Sequence, residues 1–158
     1  MASFILRALD AALFAGLFER DDATLGAQGI VRRIVASDHG TPCRVSLQDA
    51  RRGEEVLLLP YVHHGVHSPY RASGPIFVRR GVATVSLAVD EVPAYVASRL
   101  ISLRAYDAAG LMVMAEVCDG GDAGAWLCQA FEQREVAYVH LHNARQGCYA
   151  CRAERAHP

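Results

Sequence analysis

The residues best equipped for chemistry gather near the C-terminal end, where Tyr138-Val-His140-Leu-His142 runs into Asn143-Ala-Arg-Gln-Gly147 and then Cys148-Tyr-Ala-Cys151. The pattern predicts a strand, a polar loop over 143–147 and a returning strand. Side chains alternate along a strand, so Ala137, Val139 and Leu141 take one face while Tyr138, His140 and His142 take the other. With that loop His142 stands opposite Cys148, and cross-strand partners lie about 5 Å apart between Cβ atoms. His140, His142 and Cys148 then make a donor set for zinc, which takes imidazole and thiolate ligands tetrahedrally at about 2.0–2.3 Å. Three donors with one open position describe a zinc-dependent hydrolase in which the metal activates water. A fourth donor from the His63–His67 stretch describes a structural site instead. The same residues suit a metal-free catalyst, with Cys148 as nucleophile, His140 or His142 as base and Asn143 orienting the imidazole. Against both stands plain packing, with the histidines bonded to carbonyls and Cys148 filling space as a small apolar group.

A second polar concentration is His63-His-Gly-Val-His67-Ser-Pro69-Tyr70-Arg71-Ala-Ser-Gly74-Pro75, read as a loop on a rigid scaffold, where binding groups commonly sit. Arg44, Tyr70, Arg71 and Arg79 are suited to clamp a carboxylate or phosphate, since the guanidinium fork matches such anions bidentately. Their packing alternative is ion pairing with Asp49, Glu55 or Glu116. The preferred reading is a small-molecule or anion-binding domain whose pocket is shared by the last hairpin and the Tyr70–Arg71 loop. Arg44, His67, Tyr70, Arg71 and Asn143 would touch the ligand, and the zinc hydrolase and the cysteine–histidine catalyst stand as alternatives. Cys148 and Cys151 point to opposite faces if their segment is a strand, and no second Cys-x-x-Cys exists to complete a zinc knuckle. Cys43 faces the core. No glycine-rich phosphate loop occurs between a strand and a helix, so nucleotide hydrolysis is disfavoured.

Phe4 to Arg7 is a short strand, Asp10 caps an amphipathic helix over 11–19, and Asp21 or Asp22 caps a second helix that Gly29 ends. Residues 30–36 form an edge strand. Cys43, Val45 and Leu47 alternate with Arg44, Ser46 and Gln48 in a half-buried strand, which a turn over 51–54 joins to a central strand over 55–62. Pro60 marks a bulge or the end of pairing. A strand resumes over 76–79, and 82–89 is either a strand or irregular. Pro93 opens a short helix to Leu100. Residues 101–106 and 111–118 form a hairpin about Asp107–Gly110. Asp122 caps a helix with a buried stripe of Ala123, Trp126, Leu127, Ala130 and Phe131. Residues 152–158 are expected to fray.

Strands outnumber helices and short turns join most neighbours, which predicts a single α+β domain with a mainly antiparallel sheet and two or three covering helices. A chain of 158 residues suits one domain with a substantial core. Its formal net charge of −1, with both signs interleaved, argues against nucleic acid or an anionic membrane as partner. Arg7 and Asp10 interrupt the apolar start before a signal-peptide core forms. No stretch approaches the roughly 20 apolar residues of a membrane span. Five cysteines, an odd number without a disulfide framework, fit a reducing cytoplasm. Exposed sheet edges leave a homodimer open.

Four blocks carry a family resemblance: Pro42-Cys-Arg-Val-Ser-Leu-Gln-Asp-Ala50, Ser68-Pro-Tyr-Arg-Ala-Ser-Gly-Pro-Ile-Phe-Val-Arg79, Leu103-Arg-Ala-Tyr-Asp107 and Val139-His-Leu-His-Asn-Ala-Arg-Gln-Gly-Cys-Tyr-Ala150. In this order they resemble the bacterial family called domain of unknown function 1203. The resemblance spans nearly the whole chain and implies a single-domain bacterial protein. It supplies neither a substrate nor catalytic residues.

Overall fold

The computed structural model describes residues 1–157. Strands β1 (Phe4–Arg7), β5 (Leu100–Tyr106), β6 (Met112–Asp119), β7 (Tyr138–Asn143) and β8 (Tyr149–Arg155) form a five-stranded sheet in the order β1-β8-β7-β5-β6. Helix α1 (Asp22–Ala27) leads into β2 (Val31–Ile34), which with β3 (Glu55–His64) and β4 (Ala72–Arg79) forms a three-stranded sheet in that order. Every strand pairing is antiparallel, and the protein is of the α+β class.

Alternation in β5 and β7 separates two chemistries. Ile101, Leu103 and Ala105 pair with Asn143, Leu141 and Val139, whereas Ser102, Arg104 and Tyr106 pair with His142, His140 and Tyr138. The first set, with Phe4, Leu6 and Ala153, meets helices α2 (Ala94–Ala97) and α3 (Ala123–Glu132) in one core with Tyr95, Leu127 and Phe131. Burying a leucine or phenylalanine there stabilises the fold by about 1.5–3 kcal/mol. The second set, the imidazole face, receives the end of β3 from the smaller sheet. That sheet keeps a core of its own around Phe14, Phe18, Leu25, Val45, Leu57 and Ile76.

Several expected elements take another form. The helix over 11–19 is only a 3-10 turn at Ala11–Leu13 followed by further turns, although Asp10 does cap it by accepting from Ala12 N. Phe14 and Phe18 are buried while Leu13 is exposed, so packing of two rings replaces a helical stripe. The segment 43–50 is not a strand. Cys43 N donates to Gln48 O and Leu47 N to Cys43 O, and Leu47 turns the chain at φ 50°. Cys43, Arg44, Val45 and Leu47 are consequently all buried, which alternation cannot produce. Strand β3 runs to His64 and β4 begins at Ala72, so His63 and His64 lie on a strand rather than in a loop. The register shift falls between Tyr61 and His64, just beyond Pro60. Residues 82–89 are irregular apart from an isolated bridge between Ser86 and Arg7. Arg152 to Arg155, expected to fray, belong to β8 and pair with β1.

Candidate functional site

Consecutive residues of a regular strand face opposite ways. The shift near the end of β3 breaks that rule, and both His63 and His64 turn toward the large sheet. The His63 ring lies 5.1 Å from that of His142 and 6.2 Å from that of His140, and it stacks on Tyr149 at 5.3 Å with 11° between planes. The His64 ring lies 4.9 Å from that of His140 and 4.1 Å from that of Tyr106. A carbonyl only accepts, so His64 Nδ1 carries a proton and donates to Tyr70 O at 2.7 Å. Its Nε2 then accepts from the Tyr138 hydroxyl at 2.7 Å. By the same reasoning His142 Nδ1 donates to Gly147 O at 3.0 Å, which leaves Nε2 as a bare lone pair.

That Nε2, together with Nδ1 of His140 and of His63, is buried and meets no hydrogen-bond partner among the described residues. Buried polar atoms are nearly always bonded, so three orphans on converging rings call for a ligand or ordered solvent. Burial holds all three imidazoles neutral, pushing His140 down to about 2 and His142 to about 4, and lowering His63. Neighbouring cations push the same way: Arg104 acts on His63 and His142, and Arg152 on His140. Arg104 stands across from His140 and donates its Nε to Ser102 Oγ at 3.2 Å. No carboxylate pairs with it among the described residues. Arg152 lies 4.0 Å over the Tyr138 ring and shares Glu154 with Arg7.

The model of a family described as a protein of unknown function, DUF1203, matches residues 40–155. The chain belongs to the DUF1203 family. No curated protein and no solved structure matches it. The DUF1203 span contains β3 to β8, hence all four histidines of the face together with Arg104 and Arg152.

Within this DUF1203 chain the donor set His140, His142 and Cys148 divides between two sides of the large sheet. His140 and His142 share the imidazole face, and Tyr70 joins it through the bond to His64 and a ring contact of 6.0 Å with Tyr106. Cys148 does not. The pairing shifts between Leu141 and His142, so Tyr149, and not Cys148, stands across from His142. The Cys148 sulfur accepts from Asn143 Nδ2 at 3.4 Å and Arg44 Nη2 at 3.1 Å, on the side of the helices. The same shift places Cys151 in the helix-side core, where burial pushes its thiol up to about 12. The two thiols therefore share a side, contrary to the simple alternation.

Arg44 is engaged with backbone, donating to Tyr149 O at 2.7 Å and to Pro42 O. Arg79 pairs with Glu54, at 2.5 Å. Arg71 makes no ion pair among the described residues, and His67 is exposed. Sequence reasoning missed Arg104, Arg152 and Tyr149. The available signal was the alternation Ser102, Arg104, Tyr106 on a strand flanked by apolar residues, which places a cation on the face opposite the core.

Proposed function

We propose that this chain binds a small oxyanion, a carboxylate or phosphate head group, on the imidazole face between His63, His140, His142 and Arg104. The observation that carries the reading is the set of three unpartnered imidazole nitrogens beside a guanidinium without a carboxylate. An anion there pairs with Arg104 and makes protonation of His142 Nε2 favourable, which turns an orphaned lone pair into a donor aimed at the ligand. Binding is thus coupled to proton uptake. The Tyr70–Arg71 loop contributes through His64, whose two bonds tie that loop to Tyr138.

The test is a histidine-resolved NMR titration with acetate and with inorganic phosphate. Saturable binding should raise the His142 pKa from about 4 toward neutrality. Arg104→Gln should abolish the effect while leaving the fold intact. If neither anion moves the histidine resonances, the reading fails.

A second reading is favoured by one observation, the His142 tautomer, because a lone pair fixed on Nε2 is what a metal ligand presents. The donors would be His63, His140 and His142 rather than the set with Cys148. Rings on one tetrahedral zinc have centres roughly 5 Å apart, against 5.1, 6.2 and 6.4 Å here, so two of the three spacings must close. As they stand, no three histidine, cysteine or acidic side chains among the described residues are grouped to hold a metal ion. Stoichiometric zinc in protein purified without nickel resin, lost in His142→Ala, would replace the anion reading by a zinc site, and zinc-dependent ester or amide hydrolysis would make it a hydrolase.

A further inference from the structure

The side of the large sheet that carries the imidazoles continues across β7, β8 and β1. His140 pairs with Arg152 and Arg152 with Arg7, so these three occupy one row on adjacent strands. Beyond His140 the row enters a cleft of about 640 Å³ lined also by Arg134, Val136 and Ala137. Four arginines line it, Arg7, Arg134, Arg152 and Arg155, against a single lining carboxylate, Glu154, although the Arg155 guanidinium itself lies 5.3 Å over the Phe131 ring. Glu154 is divided between Arg7 Nε at 3.3 Å and Arg152 Nε at 3.1 Å. Arg155 Nη2 donates to the carbonyls of Gln133 and Val136, which fixes that lining. Arg134 is exposed and makes neither a hydrogen bond nor an ion pair among the described residues. Ile5 and Val89 add apolar surface to the same cleft.

We propose that this cleft is a separate site for a small molecule carrying a phosphate group on an apolar body. Its excess of positive charge asks for more than one negative charge, and a phosphate monoester brings about −1.5 to −2 with three acceptor oxygens for guanidinium forks. The volume is in the range of organic-ligand sites and far exceeds that of a bare ion. The phosphate lies among Arg7, Arg134 and Arg152, and the apolar portion rests on Ile5 and Val89. Arg104 is outside the cleft, so this site does not depend on the oxyanion reading of the imidazole face.

The experiment titrates phenyl phosphate and inorganic phosphate into the full chain at low ionic strength and follows backbone amide and arginine side-chain resonances. Phenyl phosphate should perturb Ile5, Ala137 and Arg152 saturably and bind about fivefold more tightly than inorganic phosphate, through contact with the apolar wall. Arg134→Gln, an exposed change that leaves the remaining spectrum in place, should weaken it about fivefold. Arg104→Gln should leave it unchanged. Absence of these perturbations, equal affinity for the two probes, indifference to Arg134→Gln, or loss on Arg104→Gln would each overturn the proposal.

Discussion

Arg44 is 1% exposed, yet the groups it bonds are two carbonyls and a sulfur. It pins the segment 42–44 to the start of β8, so the guanidinium fork that suggested an anion clamp is spent on the chain itself. Arg44→Met should destabilise the protein by about 2–4 kcal/mol in urea unfolding, because both carbonyls lose their donor. Anion affinity at Arg104 should change by less than about twofold. The histidines give a pH dependence of opposite origin. Their folded pKa values lie below the ordinary 6.5, so below that pH the unfolded chain binds more protons and stability falls. The loss starts near pH 6.5 and, for His142, is complete near pH 4, amounting to roughly 3 kcal/mol. Urea unfolding between pH 7 and pH 4 checks this, and His142→Asn should flatten the slope. That His140 and His142 share a face was legible from alternation alone. That Cys148 leaves it was not, because one shifted residue in β8 has no sequence signature.

At the scale of elements, alternation and turn chemistry predicted β5, β6 and β7 closely, and the buried stripe predicted α3, although Asp122 makes no side-chain cap bond and ends a 3-10 turn instead. Segment 43–50 shows the opposite case. Its apolar residues alternate, but Cys43 N and Leu47 N close local turns, and the burial of Arg44 among its apolar neighbours overrides the period. β8 outlasted its expected end because pairing with β1, contributed from the far end of the chain, stabilises residues that look terminal. Truncation after Cys151 should therefore abolish cooperative unfolding measured by circular dichroism, whereas truncation after Arg155 should retain it. The junction of α2 with the residues before α3 is tighter still. A Cβ added at Gly120 would stand 1.8 Å from Val96 O, so Gly120→Ala must drive the two elements apart. A loss of about 3 kcal/mol or more is expected in thermal or urea unfolding, well above the usual effect of one methyl group.

Across the whole molecule, anion binding at Arg104 should strengthen as pH falls, by up to about tenfold per unit while one proton accompanies the ligand. It should weaken with added salt, because Arg104 is only partly buried. Calorimetry in buffers of different ionisation enthalpy would count the proton directly. The two sheets meet through the rings of His63 and His64 and through Arg44, and each has a separate apolar cluster behind it. A seam made in this way lacks the dense aliphatic interlock that forces a protein to open all at once. Native-state hydrogen exchange should therefore resolve two tiers of protection, with amides of β3 and β4 exchanging through a partial opening that leaves β5, β7 and β8 closed. Acid should lower the first tier before the second, since charging the imidazoles wedges the halves apart where a bound anion would otherwise clasp them together.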